Sequence, residues 1–390
     1  MNAGRPAAIL LPKRHARDRR RRNGPFQLDQ KAPFAVSGLV FGRMVRPWNS
    51  VRDTTMKKIL FATTAIVAAG LTTSANAAEW ETGVNGYYFL GLAVSDSDNG
   101  QDGVGVLRDG EFHVNGRLTA DNGLTFQARI EVEGFTSNDQ IDENWGRVSG
   151  SFGALMIGSN DTVGYENSVG VIYAPGARIG YADAFCLTSV CAAAGFSPAP
   201  GIGADNIGIH YSSPDFMGFQ VHGTYQPSTA TDGLAFPGQT PADVSGDSNN
   251  PVFAGQNGGE DLWNIAAAYN GDFGDFSFGL SGQYTDIDNT PDENWGLAAR
   301  VGFSGFTVAG FYEDNFGTDE FGIGAQYSTG PWTVAGGYSD SDGNGQFASG
   351  WVTYAVAPGV LVTGGLEYAN ADNDGQGGDL GGLGYLTLRF

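Results

Sequence analysis

The chain has 390 residues, 61 of them glycine and 16% of them charged, with a formal net charge of −21. That total is a cancellation: residues 1–77 hold 14 Lys+Arg against 3 Asp+Glu, or +11, and the rest holds 21 − 14 = 7 basic and 42 − 3 = 39 acidic residues, or −32, without one Lys. So acidic a body excludes nucleic acid and anionic surfaces as electrostatic partners, and the lack of any apolar run near ~20 residues excludes spanning helices.

Residues 1–55 are basic and irregular, with Arg14, Arg17, Arg19, Arg20, Arg21 and Arg22 in one short stretch. They read as an upstream extension outside the working protein, from a start codon placed too early; a nucleic-acid-binding arm is the alternative. Met56 opens a secretory signal over 56–77: Lys57 and Lys58 supply the charged start, Ile59–Gly70 the apolar stretch, and Ala75-Asn76-Ala77 the small residues before cleavage. The mature chain is expected from Ala78, 313 residues in all.

From Trp80 to Phe390 the apolar period is two. Leu124, Phe126, Ala128, Ile130 and Val132 alternate with Thr125, Gln127, Arg129, Glu131 and Glu133, and Trp295–Phe303 repeats the pattern; helical spacing fits neither. About sixteen such runs are predicted, near 80–94, 110–119, 123–134, 142–151, 153–159, 204–213, 217–226, 260–271, 275–287, 292–304, 305–313, 319–329, 331–340, 346–357, 358–370 and 380–390. Most approach the ~9–11 residues a tilted strand needs to cross a bilayer. The breaks alternate between tight turns, such as Asp121-Asn122-Gly123, Ser304-Gly305 and Pro358-Gly359, and longer acidic loops. A soluble sandwich has no reason to sort its connections so; an outer-membrane barrel does.

The polar faces carry Glu111, His113, Asn115, Arg117, Gln127, Arg129, Glu131, Glu133, Arg147, Gln283, Arg300, Gln326 and Glu367. A closed soluble core could not hold so many charges, so they are expected to line a wet lumen, with the apolar faces toward lipid. Aromatics such as Trp80, Tyr225, Trp263, Tyr284, Trp295, Tyr312, Tyr327 and Trp332 fall near strand ends, where interfacial girdles belong. The longest break, Asn160–Gly203, has no sustained period and reads as a loop folded inward to narrow the pore. Its Cys186 and Cys191, in an exported chain, predict a local disulfide; a two-thiol metal site lacks further ligands nearby.

Three features resemble the Gram-negative general porins of alphaproteobacterial type over Ala78–Phe390. The stretch Gly384-Tyr385-Leu386-Thr387-Leu388-Arg389-Phe390 resembles the signal read by the barrel-assembly machinery, with Phe390 as its last residue. Arg147-Val148-Ser149-Gly150-Ser151-Phe152-Gly153-Ala154-Leu155-Met156-Ile157-Gly158 resembles the strand–turn–strand before the constriction loop, and the long loop follows it. Where the family usually has Arg after Ile-Gly, this chain has Ser159. The resemblance implies a sixteen-stranded antiparallel transmembrane β-barrel in the outer membrane, among lipid and lipopolysaccharide. It further implies a homotrimer that passes ions and small hydrophilic solutes passively.

With the loop inside, Asp161, Glu166 and Asp183 are expected to face Arg117, Arg129 and Arg147 across the constriction, and Arg178 could belong to either side. Opposed fixed charges in a narrow gap orient dipolar solutes and tune ion selectivity; the acidic excess predicts a modest cation preference. The alternative is that the arginines pair with Glu111, Glu131 or Glu133 on their own wall. Asp340-Ser341-Asp342-Gly343-Asn344-Gly345 matches the first half of a calcium loop but has Trp351 at the twelfth position, so Ca²⁺ in the acidic loops is an alternative to plain solvation. His113, His210 and His222 lack a hydrolase setting, and Gly103-Val104-Gly105-Val106, read as a glycine-rich loop, lacks the helix of a phosphate cradle. No enzyme chemistry and no cofactor are expected. The rival readings are a solute-specific channel, an outer-membrane enzyme with a Ser–His pair at the lipid-facing rim, and a plugged adhesive barrel.

Overall fold

The computed structural model describes residues 79–96, 103–134, 141–170, 172–174, 177–179, 205–229, 260–343, 345–371 and 378–390. The proposed extension and signal segment, Asp183, Cys186 and Cys191 lie outside them.

Alternation along the chain becomes strand after strand: β1 (Glu81–Asp96), β2 (Gly103–Thr119), β3 (Thr125–Glu133), β4 (Ile141–Gly150) and β5 (Gly153–Ser159). A four-residue helix, α1 (Val163–Glu166), and a small hairpin of β6 (Ile172–Ala174) and β7 (Ala177–Ile179) follow. The wall resumes with β8 (Ile207–Ser212), β9 (Phe219–Gln226), β10 (Leu262–Phe273), β11 (Phe276–Ile287), β12 (Asn294–Phe303) and β13 (Phe306–Asn315). It ends with β14 (Asp319–Thr329), β15 (Trp332–Ser341), β16 (Gly345–Ala357), β17 (Val360–Ala371) and β18 (Asp379–Arg389). All but β6 and β7 form one closed antiparallel barrel of sixteen strands, each paired with its neighbours in sequence. Closure leaves no strand edge exposed to lipid, where an unpaired backbone group costs several kcal/mol.

The sixteen expected runs all become strands. The one large boundary error is β2, which starts at Gly103 instead of near residue 110. Gly103-Val104-Gly105-Val106 is therefore strand and not a glycine-rich loop: Val104 pairs with Val94 and Val106 with Leu92, so the valines keep period two on the outer face although the glycines between them are bare. The tight turns supply the backbone that short hairpins require. Ser304 and Gly305 both have positive φ (49° and 85°), the twist that suits a two-residue connection.

Outward positions are apolar and exposed, among them Val84, Leu92, Leu297, Ile323 and Leu366. Two aromatic girdles bound this band. At the long-loop end Tyr225 meets Trp263 (centroids 4.3 Å) and Trp295 meets Tyr312 (5.6 Å). At the short-turn end Phe276 meets Phe303 (4.5 Å), Phe306 meets Tyr327 (4.2 Å) and Trp332 meets Tyr354 (4.6 Å).

The inner face is not polar throughout. Ala309, Ala335, Trp351, Leu383, Tyr385 and Ala93 form a buried apolar cluster, with Phe89 and Leu107 against it. The β6–β7 hairpin lies on this side, β6 against β13–β15 and β7 against β15 and β16, so this sector seats the loop. The Trp351 indole lies over Gly365, where no Cβ could be housed. Trp351→Ala is expected to cost about 3–5 kcal/mol in denaturant unfolding from detergent, and an unchanged midpoint would show that the indole fills no space of consequence.

Candidate functional site

Residues 160–170 cross from β5 into the lumen and are pinned there strand by strand. The Val163 N–H donates to Thr224 Oγ1, the Gly164 N–H to Asn264 Oδ1 and the Val169 N–H to Ser281 Oγ, each at 3.0 Å. Val169 then packs on Ala298 and Phe311. The loop thus runs along the inside of β9, β10, β11, β12 and β13. Asn264 is aimed at Gly164 by its own amide nitrogen, which donates to Gln283 Oε1 (2.9 Å) and Thr285 Oγ1 (2.8 Å). Gln283 in turn donates to Asn294, and Asn294 to Glu313 Oε2 at 3.2 Å. This ladder satisfies buried groups that would otherwise destabilise the wall.

Opposite α1 stand β2, β3 and β4, whose register sets charged side chains in rows. Arg117, Gln127 and Arg147 form one row; Asn115, Arg129 and Trp145 the next; His113 and Glu131 the next; Glu111 and Glu133 the last. Arg117 and Arg147 are open to lumen water. Arg129 is not free in the same way: its Nε contacts Glu131 and its Nη2 donates to His113 Nδ1 at 2.8 Å. For Arg129, pairing on its own wall is therefore realised.

Glu166 ends α1, open to the lumen yet surrounded by the wall. Loss of hydration raises its carboxyl above the ordinary carboxylate value, opposed by a hydrogen bond from Asn160 and by the charges of Arg147 and Arg129. Asp161 is half-buried and converges with Glu143 and Asp205, their oxygens within 4.8 Å of one another. The side chain of Arg178 in β7, like Asp183, lies outside the description. Between α1 and the wall is a recess of about 390 Å³ lined by Arg129, Glu143, Arg147, Glu166, His210 and His222 among others.

Glu143 and Asp205 were not among the expected site residues. The parity that Glu143 shares with Trp145 and Arg147 was the available signal. The histidines are accounted for as structure: His210 Nδ1 lies 3.1 Å from Thr224 Oγ1, and His222 Nδ1 2.9 Å from Ser212 Oγ. The Ser212–His222 pair faces inward and His222 is buried, away from the lipid-facing rim an outer-membrane lipase would use. Of the calcium-loop residues, Asp340 and Ser341 fall within β15, and Asn344 lies outside the described residues.

A closed barrel with an apolar band outside, charge inside and a segment folded across its bore defines a β-barrel membrane channel. The profile of the Gram-negative porins matches residues 62–376, and the chain belongs to that family. It is an outer-membrane channel for passive diffusion and not an enzyme. Solved structures with this fold include a refined porin (18% identity, TM-score 0.53) and the anion-selective porin from Comamonas acidovorans (15%, 0.53). A mutant of the Rh. blastica porin (18%, 0.51) shares it too, and each of the three aligns over 80% of this chain and 100% of its own. Comparison with curated proteins finds no match.

Proposed function

We propose that the channel prefers cations and that a constriction sets this preference, with Asp161, Glu166 and Asp183 of the loop facing Arg117, Arg129 and Arg147 of the wall. The observation that carries the reading is Glu166, held at the end of α1 opposite Arg147 and Arg129. Fixed opposite charges across a narrow water-filled gap orient dipolar solutes and penalise apolar ones. The anion-selective relative shares this fold, so the sign of selectivity must come from the local charges. Here Glu131 and His113 hold Arg129 to the wall, whereas Glu143, Asp161, Asp205 and Glu166 gather at the loop. The acidic excess of the mature chain works the same way. The family supports a homotrimer among outer-membrane lipid and lipopolysaccharide. Signal cleavage before Ala78, a Cys186–Cys191 disulfide, and Phe390 as a mark for the barrel-assembly machinery belong to the same reading.

Zero-current potentials across a KCl gradient test it. Potassium preference is expected at neutral pH, and chloride preference would overturn the reading. Because loss of hydration raises the Glu166 carboxyl above its ordinary value, it takes up its proton before an ordinary carboxylate does as pH falls toward the usual value of about 4.3. Part of the cation preference should therefore be lost above that pH, and Glu166→Gln should lack that part; an identical pH profile in the variant would remove Glu166 from the constriction.

A further inference from the structure

We propose that His113 is a positioning residue that sets the channel's ion preference by holding Arg129 against the wall and out of the open bore. Arg129 has two sets of partners within reach. On its own wall it contacts Glu131 and donates to His113 Nδ1 at 2.8 Å. Toward the loop it lies within electrostatic reach of Glu143 on β4 and Glu166 on α1.

The hydrogen bonds around His113 assign its tautomer. The Asn85 amide nitrogen lies 3.3 Å from Nδ1, and Asn85 Oδ1 is occupied in accepting from Asn115 Nδ2 at 2.5 Å. Nδ1 thus faces two donors and is the acceptor. The ring proton sits on Nε2, which lies 3.0 Å from Glu111 Oε1 and 3.6 Å from Glu131 Oε2. Both glutamates are only 5% exposed. His113 is therefore a bridge that accepts from a guanidinium at Nδ1 and donates to a buried carboxylate at Nε2. The same pattern disfavours a metal ion among Glu111, His113 and Glu131, because a metal on Nε2 would put the ring proton on Nδ1, where the Arg129 guanidinium already donates.

Removing the Nδ1 acceptor frees one of the two anchors of Arg129. The guanidinium then spends time toward Glu143 and Glu166, adding positive charge at the constriction. The proposal rests on the constriction lying at Glu166 and Arg147, and not on which ion the wild type prefers.

The test uses the mature barrel in planar bilayers under a KCl gradient. His113→Leu is expected to lower the potassium-to-chloride permeability ratio roughly two-fold. His113→Gln, whose carbonyl oxygen can accept from Arg129, should restore the wild-type ratio. Arg129→Gln should raise the ratio and abolish the effect of adding His113→Leu, the non-additivity expected of one linked unit. Arg129→Lys keeps the charge but cannot span His113 and Glu131 together, so it should shift the ratio as His113→Leu does, and it serves if the leucine variant does not assemble. A wild-type ratio in either variant, or a full His113→Leu shift on the Arg129→Gln background, would overturn the proposal. Chloride preference in the wild type would overturn only the reading of the constriction, since the difference between variants still judges His113.

Discussion

Deleting Phe390 is expected to lower the yield of closed, heat-resistant barrel on the order of ten-fold, because the last pair of the closing seam would open to lipid. The barrel shuts where β1 meets β18, in register from Tyr87↔Arg389 to Asp96↔Leu380. One residue beyond that ladder, the Gly86 N–H donates to the Phe390 carbonyl at 3.0 Å and the Phe390 N–H donates back to Gly86 at 3.2 Å. The Phe390 ring rests against Phe112 of β2, centroids 5.5 Å apart, so it clamps two strands across the seam. Deletion removes the backbone pair and the clamp together, whereas Phe390→Ala removes only the clamp and should do less harm. Refolding into detergent, read by gel mobility with and without heating, separates seam closure from any part played by assembly machinery. A truncated chain that refolds as well as the full one would leave Phe390 no role in the seam.

What could be read before the structure was whatever a strict period of two imposes. A pleated strand between lipid and water must alternate, so Leu124–Glu133 and Trp295–Phe303 announce themselves, and the turns between them carry Gly, Pro and Asp. Three things were hidden for physical reasons. The start of β2 was obscured because glycine carries no side chain to show a face. The apolar inner sector around Ala309, Ala335 and Trp351 was hidden because parity says which side chains point inward, but not that a loop hairpin lies against β13–β16. Of the acidic cluster near the loop, parity shows Glu143, but its meeting with Asp161 and Asp205 was hidden because those two lie outside any strand period. Simple alternation would send Asp142 outward, yet beside an irregular register between β3 and β4 at Ile130 and Val132 it meets Glu111 and Glu133. Pairing of Arg129 with Glu131 was already one of the two readings, but its bond to His113 needed register, since the two are sixteen residues apart and adjacent only through the β2–β3 ladder.

Arg147→Glu is expected to raise the potassium-to-chloride permeability ratio by roughly five-fold or more, the largest selectivity change available from one wall residue. The position is open to lumen water and its charge reaches Glu166, so the substitution exchanges one positive for one negative charge where the loop narrows the bore. It also acts on Glu166 itself. Of the two arginines that counter the raised Glu166 pKa, Arg147 is the stronger. Removing it, and adding a like charge, must push that carboxyl higher still. The fall in cation preference on acidification should therefore begin at higher pH in Arg147→Glu than in the wild type, a displacement absent when Glu166→Gln is combined with it. Arg117→Glu, in the same row but two strands farther from α1, should shift the ratio less and leave the pH profile in place. Equal effects from Arg117→Glu and Arg147→Glu on both readouts would mean that selectivity follows the total charge of the lumen and not a local constriction facing Glu166.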